Sequence, residues 1–137
     1  MPATNPEQIC HLFQQYMREG DLESLLSIYD AEAVFLDRDG EEKKGEEGLR
    51  EALGPLAAAK AIFDFRVKQI VQSGDIALMH TEWTVSRPQQ MSAYAIEVAR
   101  RQPDGTWRWL IGDPLTVGRQ GSPRKANQTE KGKSVGR

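Results

Sequence analysis

Ile9, Leu12, Phe13, Tyr16 and Met17 recur at the i, i+3, i+4, i+7, i+8 spacing of a helix with one buried stripe. Just ahead of them stands Asn5-Pro6-Glu7-Gln8, in which Asn5 suits the cap, Pro6 the first helical position and Gln8 the reciprocal capping site. Gly20 stops this helix, and Asp21 caps a shorter second one that carries Leu22, Leu25, Leu26 and Tyr29 on its stripe. The texture then changes to Ala33-Val34-Phe35-Leu36-Asp37, a short strand running into the turn Arg38-Asp39-Gly40. Leu49, Ala52 and Leu53 predict a third helix over residues 46–53, which Gly54-Pro55 should end or kink. Four strand signals follow at residues 62–71, 76–86, 91–101 and 106–116. They are separated by Ser73-Gly74-Asp75, Arg87-Pro88-Gln89-Gln90 and Gln102-Pro103-Asp104-Gly105.

Two helices, a strand, a helix and four strands on hairpin-length turns make an α+β layout. Its sheet should be antiparallel, with the early helices covering one face. Residues 1–116 suit a single domain. Residues 117–137 carry no apolar periodicity and no aromatic residue, and are expected to form a disordered tail.

Charge sharpens this division. The net charge of -2 conceals a tail with six basic residues and one acid, attached to a body that carries -7. An acidic body argues against a nucleic-acid-binding core, so any phosphate affinity would lie in the tail. No apolar run reaches the length of a membrane span, and the N-terminus lacks the basic and apolar regions of a secretory signal; a cytosolic location is the expectation. Cys10 is alone, and on a helix its side chain diverges from that of neighbouring His11, which excludes an internal disulfide and a catalytic pair.

The chain resembles the nuclear transport factor 2-like superfamily, in its SnoaL-like and ketosteroid isomerase-like branch. The resemblance rests on Gly20-Asp21-Leu22-Glu23 through Tyr29, on Ala33-Val34-Phe35-Leu36-Asp37, and on the Pro103-Asp104-Gly105-Thr106-Trp107 turn. It implies a strongly bent sheet rolled into a cone, closed by the helices around a pocket. It further implies that Asp37 stands where such isomerases place the carboxylate that removes a proton next to a carbonyl. Glu97 falls where they carry a protonated aspartic acid in the oxyanion hole. The phenolic donor of those isomerases is replaced here by Phe13, which cannot donate a hydrogen bond, so steroid isomerisation itself is not expected. SnoaL-like cyclases use an acid from the late strands, which brings in Asp113: simple alternation turns it out of the pocket, and a bulge at Gly112 would turn it in.

Alternation within the implied cone places Ala93 and Ala95 inward beside Glu97, with Met79, Thr81 and Trp83 inward on the preceding strand. Phe13 and Met17 should close the pocket from the first helix. In the last strand the same parity puts Leu110, Gly112 and Pro114 inward. Tyr94, Ile96, Val98, Trp107, Trp109 and Ile111 fall on the outer face, an apolar patch expected to pair two copies into a homodimer. His80 and His11 fall outside the pocket, and neither has a ligand-spaced partner, so no metal and no cofactor is expected.

Plainer roles stand beside these. Asp37 suits the cap of the Arg38-Asp39-Gly40 turn, and Glu97 could pair with Arg100 or Arg101. Two functions therefore remain open: a cofactor-independent isomerase, cyclase or hydrolase acting on a small apolar molecule through pocket carboxylates, and a binding or association module without chemistry.

Overall fold

The computed structural model describes residues 2–117; of the tail expected from residue 117 onward, Val117 is described and pairs with Tyr94, and the rest lies outside the described residues. Helix α1 (Pro6–Glu19) is capped by the Asn5 side chain, which accepts from the Gln8 N–H. It ends at Gly20, whose φ of 72° is the left-handed conformation that glycine adopts without strain. Asp21 caps α2 (Leu22–Ser27) in the same way. Strand β1 (Tyr29–Leu36) leads through a tight turn to β2 (Glu42–Lys44), and α3 follows (Gly45–Ala58). The long strands are β3 (Ile62–Ser73), β4 (Ile76–Arg87) and β5 (Met91–Arg101), and the shorter β6 is Trp107–Gly112.

The helix α3 does not end before Gly54-Pro55, as the sequence suggested, but continues to Ala58. Leu56 and Ala57 extend the stripe begun by Leu49 and Leu53, and that burial offsets the hydrogen bond lost at Pro55. It closes with the Ala61 N–H on the Leu56 carbonyl and the Lys60 N–H on the Ala57 carbonyl, while Lys60 takes a φ of 52°.

The six strands form one strongly curved sheet in the order β2-β1-β6-β5-β4-β3. Its hairpins are antiparallel, but β1 joins β6 in parallel, so the sheet is mixed. Register shifts at Ile62/Phe63 and Val67/Gln69 of β3 and at Val98/Ala99 of β5 insert bulges that bend it. Helices α1 and α3 occupy the concave side, α1 against β3 and α3 against β1 and β2. Among the described residues no helix is long and apolar enough to cross a membrane.

In β4 and β5 the alternation runs as expected, with Met79, Thr81, Trp83, Ala93, Ala95 and Glu97 buried on the concave side. In β6 it does not. Val98 pairs with Ile111 and Ala99 with Trp109, so Leu110 is an extra residue and parity inverts across it. Trp107 and Trp109, expected on the outer face, are therefore buried at 4% and 3% exposure, whereas Ile111 faces out and Gly112 faces in. Leu110, expected inward, is the half-buried bulge residue.

Candidate functional site

Concave side chains and the ends of two turns enclose a cavity of about 380 Å³. Its wall is aromatic. Phe13 meets Phe63 and Phe65 edge-on at 5.2 and 5.4 Å between ring centroids, and Phe63 lies 5.5 Å from Trp83. Leu53, Leu56, Met91 and Trp109 fill in around them. Pro88 and Gln89 of the β4–β5 turn and Arg38 of the β1–β2 turn are exposed, and Asp37 beside it is half-buried; these residues mark the mouth.

Glu97 is the acid inside. It is 6% exposed, and burial pushes its carboxyl up to about 8, against the partly offsetting hydrogen bond from the Asp113 N–H to Oε2 at 2.9 Å. At neutral pH it is therefore mainly a neutral hydrogen-bond donor within an apolar cavity. Among the described residues no ion pair holds it: Arg100 is engaged by Asp30 and Glu32, and Arg101 by Asp75.

Tyr29 supplies a second hydroxyl on the cavity wall. Burial, and secondarily the Glu97 charge, raise its pKa well above the ordinary phenol value, so it too stays a neutral donor. Sequence reasoning placed Tyr29 on the stripe of the second helix, but α2 stops at Ser27 and Tyr29 opens β1, directly opposite Trp109. A run of only six helical residues followed by an aromatic residue of high strand propensity was the signal available. Phe63 and Phe65 were also missed, although their i, i+2 spacing on β3 reads directly as one face of a strand.

Asp37 borders the same cavity and also performs the plainer role. Its Oδ1 accepts the Asp39 and Glu41 N–H groups at 2.8 and 2.9 Å, and Oδ2 lies 3.9 Å from the Lys43 Nζ. Asp113 neither follows the strand nor turns its side chain onto the cavity wall. It leaves the sheet at the start of a turn, and it is its peptide N–H that reaches Glu97. Gly112 eases the packing here: a Cβ there would crowd Phe35 Cδ2 at 3.0 Å, while Glu97 Oε2, at 3.7 Å, would be in ordinary contact.

Of the other expected lining residues, Phe13, Trp83 and Pro114 border the cavity, and Met17, Met79 and Thr81 do not. All three are completely or almost completely buried, within the core behind the wall; Met79 is the cross-strand neighbour of Glu97. Cys10 is buried as well, which raises its thiol pKa and leaves it inert. His11 is exposed, and His80 is half-buried on the convex face, with its ring 6.3 Å from that of Tyr94.

The family model of the SnoaL-like domain matches residues 11–119. The chain belongs to the SnoaL-like domain family. Solved structures share the fold of this SnoaL-like chain. A ketosteroid isomerase-like protein from Erwinia carotovora atroseptica superposes with a TM-score of 0.60 at 16% identity, covering 77% of this chain and 88% of that one. A candidate dehydratase of the NTF2-like family from Streptomyces avermitilis gives 0.61 at 19% identity, with coverage of 77% and 88%. A candidate calcium/calmodulin-dependent protein kinase type II association domain from Thiobacillus denitrificans gives 0.66 at 13% identity, with coverage of 81% and 92%. Among curated proteins no match is found.

Proposed function

We propose that this SnoaL-like domain is a cofactor-independent acid–base enzyme that takes a small apolar molecule bearing a carbonyl or comparable acceptor oxygen. The observation that carries this reading is the buried Glu97 carboxyl, kept protonated at neutral pH inside an aromatic cavity. Glu97 donates its proton, or a hydrogen bond, to the acceptor oxygen, and the Tyr29 hydroxyl serves as a second donor for charge developing there. Asp37, on the mouth side of the same cavity, is the carboxylate available to accept a proton from the substrate. Isomerisation, cyclisation and hydrolysis all draw on a proton-donating acid and a proton-accepting group in one cavity.

The test is exchange of protons next to the carbonyl in a panel of cyclic ketones and enones in deuterated buffer, followed by NMR. Catalysed exchange that falls at least about 100-fold in Glu97→Gln supports the reading. Exchange unaffected by Glu97→Gln and Asp37→Asn together refutes it.

One observation favours a binding module instead: Asp37 already satisfies two backbone N–H groups and faces Lys43, as a purely structural turn residue does. A compound that binds in the cavity and is never altered would support that alternative.

The convex face completes the reading. Leu78, Tyr94, Ile96 and Ile111 are each about two-fifths exposed, and cross-strand pairing of Leu78 with Val98 and of Val98 with Ile111 makes them contiguous. We assign this face to a homodimer, with a two-fold interface of like against like. Sedimentation at micromolar concentration should give twice the chain mass, and Ile96→Glu the single mass; a monomeric wild type refutes the assignment.

A further inference from the structure

The end of β6 is irregular in a way that serves Glu97. If β6 ran on past Gly112, its backbone would pair with β5 near Ile96, but Pro114 lacks the N–H such a ladder needs. The chain instead turns over Asp113-Pro114-Leu115-Thr116 and rejoins β5 at Val117, which exchanges both backbone hydrogen bonds with Tyr94. Two N–H groups are thereby taken out of the ladder and given side-chain acceptors. The Ile96 N–H donates to Thr116 Oγ1 at 3.0 Å, and the Asp113 N–H donates to Glu97 Oε2 at 2.9 Å.

Thr116 holds the turn at both ends. Its hydroxyl accepts from Ile96 and donates to the Asp113 carbonyl oxygen at 2.7 Å, which also receives the Thr116 N–H at 3.2 Å. A third tie comes from the cavity wall, where the Trp83 Nε1–H donates to the Pro114 carbonyl oxygen at 2.6 Å. The turn that follows the peptide touching Glu97 is thus fixed at its next two carbonyls by one hydroxyl and one indole.

We propose that Thr116 is a positioning residue for Glu97. By clasping the 113–116 turn, with help from Trp83, it keeps the Asp113 N–H on Oε2, so that Oε1 is the oxygen that carries the proton and meets the ligand. The inference rests on the reading of Glu97 as the acid of the site and deepens it. The titratable groups that face Glu97 are the Asp113 carboxylate from this turn, the Tyr29 hydroxyl from β1 and the Cys10 thiol from α1; Ile96, Pro114, Leu115, Thr116 and Trp83 carry none. A donor on the ionised carboxylate favours ionisation, so loosening the clasp should make the proton harder to remove.

The experiment follows the Glu97 side-chain carboxyl carbon by NMR through a pH titration of the full chain labelled at glutamate, for wild type, Thr116→Val and Thr116→Ser. Thr116→Val keeps the shape and removes the hydroxyl, and its Glu97 midpoint should rise by about half a unit to one unit. Thr116→Ser should return the midpoint to that of wild type. A folded Thr116→Val with an unchanged or lowered midpoint overturns the proposal, as does a Thr116→Ser midpoint displaced as far as that of the valine variant. If Thr116→Val does not fold, Trp83→Phe, which removes the indole hydrogen bond together with part of the cavity wall, is judged by the same upward shift. A wild-type Glu97 that titrates in the ordinary carboxylate range defeats the functional reading itself. A wild type with the raised midpoint and a valine variant identical to it defeats only the clasp.

Discussion

Replacing Glu97 by glutamine should flatten the dependence of folding stability on pH between about pH 5 and 8. In the folded chain burial holds the carboxyl at about 8, against an ordinary value of 4.5. Between those values the unfolded chain has released its proton and the folded chain has not, so raising the pH favours unfolding by about 1.4 kcal/mol per pH unit. This contribution to stability is fully present below 4.5, falls as pH rises, and levels off above 8, for a total on the order of 5 kcal/mol. That is comparable with the whole stability of many small domains. Tyr29 and Cys10, the ionisable neighbours inside, have raised pKa values and stay neutral across the window, so they do not mask the effect. Glutamine retains an acceptor for the Asp113 N–H and cannot ionise, at the expense of a buried carboxamide N–H that needs a partner. Urea melts at pH 5, 6, 7 and 8 should therefore show curves that cross, with wild type equal or ahead at pH 5 and Glu97→Gln ahead at pH 8. Parallel curves, or a wild type that gains on the variant as pH rises, would refute a buried neutral acid.

Asp37→Ala should cost about 1 kcal/mol in chemical denaturation, because the Asp39 and Glu41 N–H groups lose their acceptor, whereas Asp37→Asn should recover most of it. Exchange activity lost in the asparagine variant then separates the chemical role of this carboxylate from its structural one. Asp30 is buried under Arg100 and Gln102, whose hydrogen bonds hold its carboxyl down at about 2. Asp30→Asn should destabilise the fold by about 1–2 kcal/mol near pH 6. Wild type and variant should converge as the pH falls from 3.8 toward 2, where that contribution is lost, and a gap that persists in acid contradicts the assignment. Lys60→Gly should raise stability by about 0.5–1 kcal/mol, since Lys60 closes α3 at a positive φ that glycine adopts freely, and an unchanged or lowered Tm would count against this account of the helix end.

Where one periodicity governs a long segment, the sequence was sufficient. The stripe of α1, its Asn5 cap and its Gly20 stop all read directly, as did the inward sets of β4 and β5 that single out Glu97 as an acid among small apolar residues. Legibility ended where an element owes its existence to neighbours. Glu42-Lys43-Lys44 has no apolar alternation and is a strand only because β1 offers an edge to pair with. Helix α3 passes through Pro55 because the core beyond it rewards Leu56 and Ala57. The inward direction of Met17, Met79 and Thr81 could be inferred, but not that they lie behind the cavity wall, since alternation assigns a face and not a depth.

The largest departure from simple alternation carries the most functional content. A single extra residue, Leu110, inverts β6 and brings Trp109 into the cavity in place of its neighbour. Past it, Gly112, with no side chain to crowd Phe35, lets the chain pass close to the carboxyl before it turns. The irregularities in this stretch thus place Trp109 in the cavity and the Asp113 N–H on Glu97. A fold that needed only a closed sheet could have continued the ladder and left Glu97 facing apolar neighbours, with its desolvation unrelieved. Local regularity is given up here, and a buried acid is placed between an aromatic wall and a fixed peptide N–H. Such a departure is expected where a site, rather than stability, sets the sequence.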